Sequence, residues 1–577
     1  MKIQPTKRGD QMVILHDYSG AVQAAVADLE KRGAAAKVWA KDPGLWKSDA
    51  DHQRNIRQSL GWLTVTAAVR DRLSEITGFA DEVRRSGFTH VLLLGMGGSS
   101  LCPDVLRLTF ASAEGAPAFH LLDTTDPATI RAEEQAIDLP HTLIVVASKS
   151  GTTPEVNALQ QYFLAKLTPG KGQRAGAQCV AITDPGTPLE ATARAHEFRR
   201  IFFNPADIGG RYSALSYFGL VPAALMGIDL FELLERSQRM VHSCRAGVRN
   251  KWNPGLWLGA VMGSLALQGR NKVTIVCSKE IAAFGSWVEQ LIAESTGKEG
   301  KGIVPVEGEP VGTPGRYGTD RLFIYLRLEG TRDVAVEGKL KRLAQAGHPL
   351  VTLSLQDRYD LGAEFFRWEF ATAIAGAIIG VNPFDQPNVQ ESKDNTKQLL
   401  DDYKAAGSLP SSEPIFSDGE VQLYGDEATR TAIQGCRKLS TAVKAHLARA
   451  RAGDYVALTA FLERNPETEK ALSMIRKSVR DQFRVATTLG FGPRFLHSTG
   501  QLHKGGGDEG VVVQFTADDQ ADLPIPGEAY SFGIMKSAQA LGDFQSLQRR
   551  QRRALRVHLG GNVKAGLRRL QDGLTRE

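Results

Sequence analysis

The chain has 577 residues, of which 42% are hydrophobic and 23% charged, and a formal net charge of +6. This is the composition of a soluble globular chain with apolar material for several cores, and it excludes wholesale disorder. The length predicts three or four domain-sized units, and so small a charge for that length identifies no partner.

The opening residues, Met1 to Arg8, lack the apolar core and small-residue cleavage site of a secretory signal. The most apolar stretches, such as 371–381, fall short of the ~20 residues that a membrane span requires. A cytoplasmic protein without membrane contact is expected. Cys102, Cys179, Cys244, Cys277 and Cys436 are odd in number and never form a CxxC pair. They predict reduced thiols, with neither a disulfide framework nor a zinc site.

Residues 1–84 read as a helical segment, from the apolar spacing of Val22, Val26 and Leu29 and then of Ile56, Leu60 and Leu63. From residue 85 short apolar runs alternate with helical patterns. Strands are predicted at His90–Leu94, Phe119–Leu122, Leu143–Ala147 and Cys179–Thr183, with helices at Pro103–Thr109 and Pro154–Lys166. Unbroken apolar strands between helices indicate a parallel sheet buried on both faces. A second unit of the same kind has strands at Val273–Val276, Leu322–Leu326 and Leu350–Leu353. Its predicted helices are Gly285–Thr296 and a long one over Leu361–Gly380. A linker rich in Gly, Pro and Ser follows at Gly407–Ser412, then helical patterns, three glycines at 505–507 and one clear strand, Val511–Phe515.

The fold class is therefore α/β. Two tandem doubly wound parallel-sheet units, 85–250 and 251–405, follow a helical N-terminal segment, 1–84, and precede a mixed, mainly helical C-terminal region, 406–577. Nine Lys and Arg residues crowd the stretch from Arg549 to Arg576. No aromatic residues interleave with them in the manner of a nucleic-acid patch, so a solvated helical face is expected and no nucleic-acid partner.

Open parallel sheets bind ligands beyond the carboxyl ends of their strands, so the strand-to-helix loops carry the chemistry. Gly95-Met96-Gly97-Gly98-Ser99-Ser100 follows the first strand, and its glycines allow backbone to approach a ligand near Gly98 and Ser99. A dinucleotide fingerprint is the rival reading, strengthened by Asp123, but Ser100 stands where GxGxxG needs its third glycine. Ser148-Lys149-Ser150-Gly151-Thr152-Thr153 precedes Pro154, which suits a first helical position. Hydroxyls, a glycine and helix N-terminal N–H groups form an anion cradle suited to a phosphate, where a cap alone would use a single hydroxyl. Glu294 shares a helix face with Trp287, Gln290 and Leu291, and a carboxylate there is either a buried salt-bridge partner or a catalytic base. Asn382-Pro383-Phe384-Asp385-Gln386-Pro387 opens another helix, and Gln386 and Lys393, seven apart, share its face.

Together with Gly209-Gly210-Arg211-Tyr212-Ser213 and Glu294-Ser295-Thr296-Gly297-Lys298, these loops resemble the phosphoglucose isomerase family, whose fold is a pair of sugar isomerase (SIS) domains. The resemblance covers residues 85–400. The wording of Pro387-Asn388-Val389-Gln390-Glu391-Ser392-Lys393 is most similar to the isomerase half of bacterial transaldolase–phosphoglucose isomerase fusions. The 84 residues ahead of the first SIS unit are too few for a barrel of ~250 residues, so transaldolase activity is not expected.

The resemblance implies interconversion of glucose 6-phosphate and fructose 6-phosphate without cofactor or metal. Ser148, Ser150 and Thr153 would bind the phosphate with help from Lys149, and Gly98, Ser99, Gln290 and Gln386 would line the substrate. Glu294 would carry a proton between C2 and C1 through a cis-enediol, Arg211 would stabilise the enediolate, and Lys393 would assist at the ring oxygen. The family's ring-opening histidine has no counterpart in its usual place, which reads Gly318-Thr319-Asp320-Arg321-Leu322. Leu496-His497-Ser498-Thr499-Gly500-Gln501 resembles the segment that carries it in some bacterial isomerases. His497 is thus assigned to ring opening, with His503, the Asp320–Arg321 pair, or a loop histidine without a role as the competing readings; the one histidine between Glu294 and the 382–387 loop is His348. A homodimer is implied, because a neighbouring subunit supplies this histidine in some relatives. Other readings are an isomerase of mannose 6-phosphate or an aminosugar phosphate, or a non-catalytic sugar-phosphate sensor. The sensor has no need of Glu294, Arg211, Gln386 and Lys393 together.

Overall fold

In a computed structural model, which describes residues 6–8 and 10–575, the strands fall into three sheets. Two short N-terminal strands, β1 (Thr6–Arg8) and β2 (Gln11–Ile14), come first in the chain. The first sheet is wholly parallel in the order β4-β3-β5-β6-β7, with β3 His90–Gly95, β4 Ala118–Leu122, β5 Thr142–Ala147, β6 Cys179–Thr183 and β7 Arg200–Phe203. The second has the order β1-β2-β11-β10-β8-β9, with β8 Lys272–Cys277, β9 Val304–Val306, β10 Arg321–Leu328 and β11 Leu350–Leu355.

Alternation along the strands shows why the first sheet is covered on both faces. Val91, Leu93, Leu143 and Val145 enter one core, shared with the second sheet and with the helices Pro254–Leu267 and Leu361–Ile379. Leu92, Leu94, Ile144 and Val146 enter another, against Leu159 and Phe163 of the helix Pro154–Lys171 and Phe532, Met535 and Ala538 of a helix from the C-terminal region, Phe532–Arg549. A period of two therefore serves two helical layers at once.

The structure departs from the sequence reading at both ends. The N-terminal segment is not helical throughout, because β2 pairs antiparallel with β11 and covers what would otherwise be an open sheet edge. The C-terminal region is a third α/β unit rather than helices with one strand. Its sheet has the order β12-β13-β17-β16-β14-β15, with β12 Phe416–Asp418, β13 Val421–Gly425, β14 Tyr455–Phe461, β15 Ala486–Phe491, β16 Gly510–Thr516 and β17 Arg553–His558, of which β14 to β17 run parallel. The apolar runs are short, 455–458 in β14 and 511–513 in β16; β15 interleaves Thr487, Thr488 and Gly490 with its apolar residues, and β17 carries arginines. Arg553 in β17 is buried against Asp454 at 2.6 Å, so a charge that reads as surface is satisfied inside. The basic C-terminal stretch is similarly engaged, with Arg550 on Glu391 and Arg569 on Asp418. Among the described residues no helix is long and apolar enough to cross a membrane.

Candidate active site

The loops after β3 and β5 of the first sheet meet the C-terminal ends of the helices Phe284–Thr296 and Leu361–Ile379, and the turn after β15 of the third sheet closes the site. Gly98 lies so close to the 209–211 loop that a Cβ on it would stand 1.9 Å from Gly210 O. The close approach this glycine permits is thus to the segment carrying Arg211. Ser99 is buried beside it.

Arg211 is the hub. Its Nε donates to Ser295 Oγ (2.7 Å), Nη1 to Gln386 Oε1 (2.9 Å) and Glu294 Oε2 (3.4 Å), and Nη2 to Pro383 O (2.7 Å) and Asp385 O (3.0 Å). A planar guanidinium with five donors can hold both the 294–295 helix turn and the 382–387 loop, which a lysine could not. The same loop is pinned by Lys298, whose Nζ donates to Asn382 O (2.9 Å) and Asp385 Oδ1 (2.7 Å). Burial, with Arg211 nearby, holds the Lys298 ammonium down at about 8 even though Asp385 favours its charged form.

Glu294 is buried in the helix Phe284–Thr296. Burial pushes its carboxyl above the ordinary range, and the charges of Arg211, His497 and Lys298 pull back without cancelling that rise. Gln290, one turn earlier, donates from Nε2 to Glu294 Oε2 (3.5 Å) and to His497 O (2.8 Å). The carboxylate and the histidine are therefore held by one amide.

His497 follows β15 and lies over Gly97, whose own Cβ would be 3.1 Å from the His497 Cβ. Its Nε2 is 3.0 Å from Glu155 Oε1. Burial pushes the Glu155 carboxyl up, but the charge and hydrogen bond of His497, the local backbone amide and Lys393 outweigh it, and the group sits below its usual value. Lys393 lies half-buried on the helix Pro387–Ala406.

The 148–153 loop is organised by Ser148, whose Oγ accepts from Gly151 N (3.1 Å) and is 3.0 Å from Thr153 Oγ1. Ser150 Oγ is 2.9 Å from Thr152 Oγ1 and accepts from Thr152 N (3.3 Å). Gly151 has φ +66°, and a side chain there would meet Leu189 N at 2.7 Å, so the turn requires glycine. Lys149 is engaged elsewhere, by the Asp184 carboxylate and by Ala206 O (2.9 Å).

The competing groups lie apart from this cluster. His503 is buried against Tyr455 Oη at 2.9 Å, Arg321 pairs with Glu309 at 3.2 Å inside the core, and His348 packs on the rings of Tyr317 and Phe323. Asp320 faces Lys272 at 4.0 Å.

The model of the family described as phosphoglucose isomerase matches residues 59–311. A glucose-6-phosphate isomerase of Rubrobacter xylanophilus is 31% identical over 371 residues, covering 56% of this chain and 85% of the relative. The chain belongs to the phosphoglucose isomerase family. A probable glucose-6-phosphate isomerase of Methanococcus maripaludis is 27% identical, covering 64% of this chain and 89% of its own. A crystal structure of a glucose-6-phosphate isomerase from Chlamydia trachomatis superimposes with a TM-score of 0.58 at 18% identity, over 69% of this chain and 90% of that one, and supports the fold.

In this phosphoglucose isomerase family member the matched span ends before the 382–387 loop and before the third sheet, which carries His497. Sequence reasoning missed Glu155, which looks like an ordinary acid in the first turn of a helix after Pro154. The one signal in the sequence is its place directly after the 148–153 loop. The sequence shows Lys298 only as the end of the Glu294-Ser295-Thr296-Gly297-Lys298 motif, and its pinning of the 382–387 loop cannot be read from spacing.

Proposed function

We propose that this chain is a glucose-6-phosphate isomerase, interconverting glucose 6-phosphate and fructose 6-phosphate, and that it works in the cytoplasm. The observation that carries the reading is the bridge made by Gln290 between a buried, elevated carboxylate beside Arg211 and a histidine paired with Glu155. Two proton-transfer groups held apart by one amide suit a reaction with two proton-transfer stages.

Ser148, Ser150 and Thr153, with the N-terminus of the helix Pro154–Lys171, bind the phosphate, and Lys149 adds charge at the margin. Gly98, Ser99, Gln290 and Gln386 line the sugar. Ring opening breaks C1–O5: the C1 hydroxyl gives its proton to His497 and O5 receives one from the Lys393 ammonium. Glu294 then takes the proton from C2, and the electron pair moves through C1 to leave negative charge on O1. Arg211 stabilises that charge as a fixed cation in a site of low polarity. Transfer of the O2 proton to O1 and return of the carbon-bound proton to C1 yield the ketose. A homodimer belongs to the proposal, and since Glu155, Glu294 and His497 come from one chain, each of its sites would be complete.

The test is fructose 6-phosphate turnover with a coupled glucose 6-phosphate readout on the wild type and Glu294→Gln. An inactive wild type, or an unimpaired Glu294→Gln, rejects the reading.

A further inference from the structure

Glu155 receives two donors on the same oxygen. Besides His497 Nε2, Gln539 Nε2 donates to Oε1 at 2.8 Å, from the helix Phe532–Arg549 of the third α/β unit. The other end of that amide is fixed as well, because Thr125 Oγ1 donates to Gln539 Oε1 at 2.7 Å. Thr125, Gln539 and Glu155 are all buried, at 0, 2 and 3% exposure, so none of these contacts can be replaced by bulk water. A reversed amide would set its carbonyl oxygen against the carboxylate and its NH2 against the Thr125 hydroxyl, leaving Glu155 with one donor fewer.

One turn away the helix is fastened again. Lys536 donates to Asp126 Oδ2 at 2.8 Å, so neighbours 125 and 126 grip residues 539 and 536 of a single helix face. Glu155 Oε2, in contrast, is buried without a hydrogen-bond partner among the described residues. The side-chain donors to the carboxylate thus both meet Oε1, one imidazole and one amide.

We infer that Gln539, locked by Thr125, is a positioning residue that holds the Glu155 carboxylate in line with His497 for ring opening. The inference rests on the isomerase reading above. Gln539 can only donate at Oε1, so it favours the ionised carboxylate and leaves His497 Nε2 as the proton-bearing nitrogen, with Nδ1 free to act as the base. Its donation also helps keep the Glu155 carboxylate ionised, so losing it raises the pH at which that group takes a proton. The other charged groups about the pair are Lys393 on the helix Pro387–Ala406, which acts on Glu155, and Glu294, which interacts with His497 and with Arg211 and Lys298.

The test uses Gln539→Met, close in volume but without a donor, Gln539→Glu, and Thr125→Val, which keeps the shape but frees the amide. Two rates are measured on the full chain: isomerisation, and exchange between the α and β anomers of glucose 6-phosphate by NMR, which needs ring opening but not the C2 base. Gln539→Met is expected to slow anomer exchange about tenfold, the order of one charge-assisted hydrogen bond. KM should stay within about twofold, and the acid limb of anomer exchange should move up by about half to one pH unit, further for Gln539→Glu. Thr125→Val should show the same upward direction, and it serves if Gln539→Met does not fold. Unchanged exchange and an unchanged acid limb in folded variants overturn the inference, as does a loss without any pH displacement, the mark of simple packing. A wild type that neither isomerises nor exchanges anomers removes the isomerase reading itself, and that result appears before any variant is made.

Discussion

His497 Nε2 and Glu155 Oε1 are 3.0 Å apart although 342 residues separate them in the chain. One follows a strand of the third sheet and the other opens a helix of the first. If the pair opens the sugar ring, His497→Ala and Glu155→Gln should depress turnover of closed-ring glucose 6-phosphate by about 10²-fold or more. The open-chain form should suffer much less. Stopped-flow measurement on freshly generated open-chain substrate separates the two, and equal losses would assign the pair to binding or folding.

As the proposed base, Glu294 would act in its ionised form, and burial raises the pH at which that form appears. The acid limb of kcat/KM in the wild type should therefore lie above the ordinary carboxylate value of about 4.5. Because Arg211 pulls the carboxyl down, Arg211→Gln should move that limb upward and lower kcat as well, whereas Glu294→Gln should cost about 10³-fold at every pH. A pH–rate series on the three proteins checks the sign.

Gly98→Ala puts a methyl 1.9 Å from Gly210 O, a backbone atom that cannot rotate away. The 209–211 loop has to move, and Arg211 with it. A displacement near 1 Å at a reacting group costs on the order of 10²-fold, so kcat should drop by about that factor while the far-ultraviolet circular dichroism remains that of the wild type.

Two buried histidines of the third unit should make it acid-sensitive. Burial holds His446 and His503 down at about 3, against an unfolded value near 6.5. Between those limits the unfolded chain binds the extra protons, so stability is lost as pH falls through about 6.5, at roughly 1.4 kcal/mol per histidine per pH unit. Unfolding midpoints in urea between pH 7 and pH 5 should show the decline. His503→Phe should flatten it in part, and a slope unchanged by the substitution would refute the account.

The parallel sheets and their loops were legible because each is a contiguous run: Val91–Leu94 feeds Gly95–Ser100, and Leu143–Ala147 feeds Ser148–Thr153. Arg211, Glu294 and the 382–387 loop could be picked out for the same reason, although their convergence on one guanidinium could not. Glu155 stayed hidden because local sequence makes it an N-terminal acid of a helix, and what distinguishes it is a histidine from a distant sheet. The third sheet escaped notice because buried Thr487, Thr488 and Arg553 are satisfied by partners such as Glu309 and Asp454, which no apolar period reveals. His497 was assigned through the resemblance of its segment, and its neighbourhood through the fold.

The placement of His497 and Glu294 in one chain also has a genetic consequence. Where two subunits share a site, copies broken at different residues can rescue each other by pairing. Here a Glu294→Gln chain and a His497→Ala chain each carry their defect in their own site, so coexpressing them should restore no growth that depends on the isomerase. Mutant alleles of this protein should fail to complement one another wherever in the site they fall.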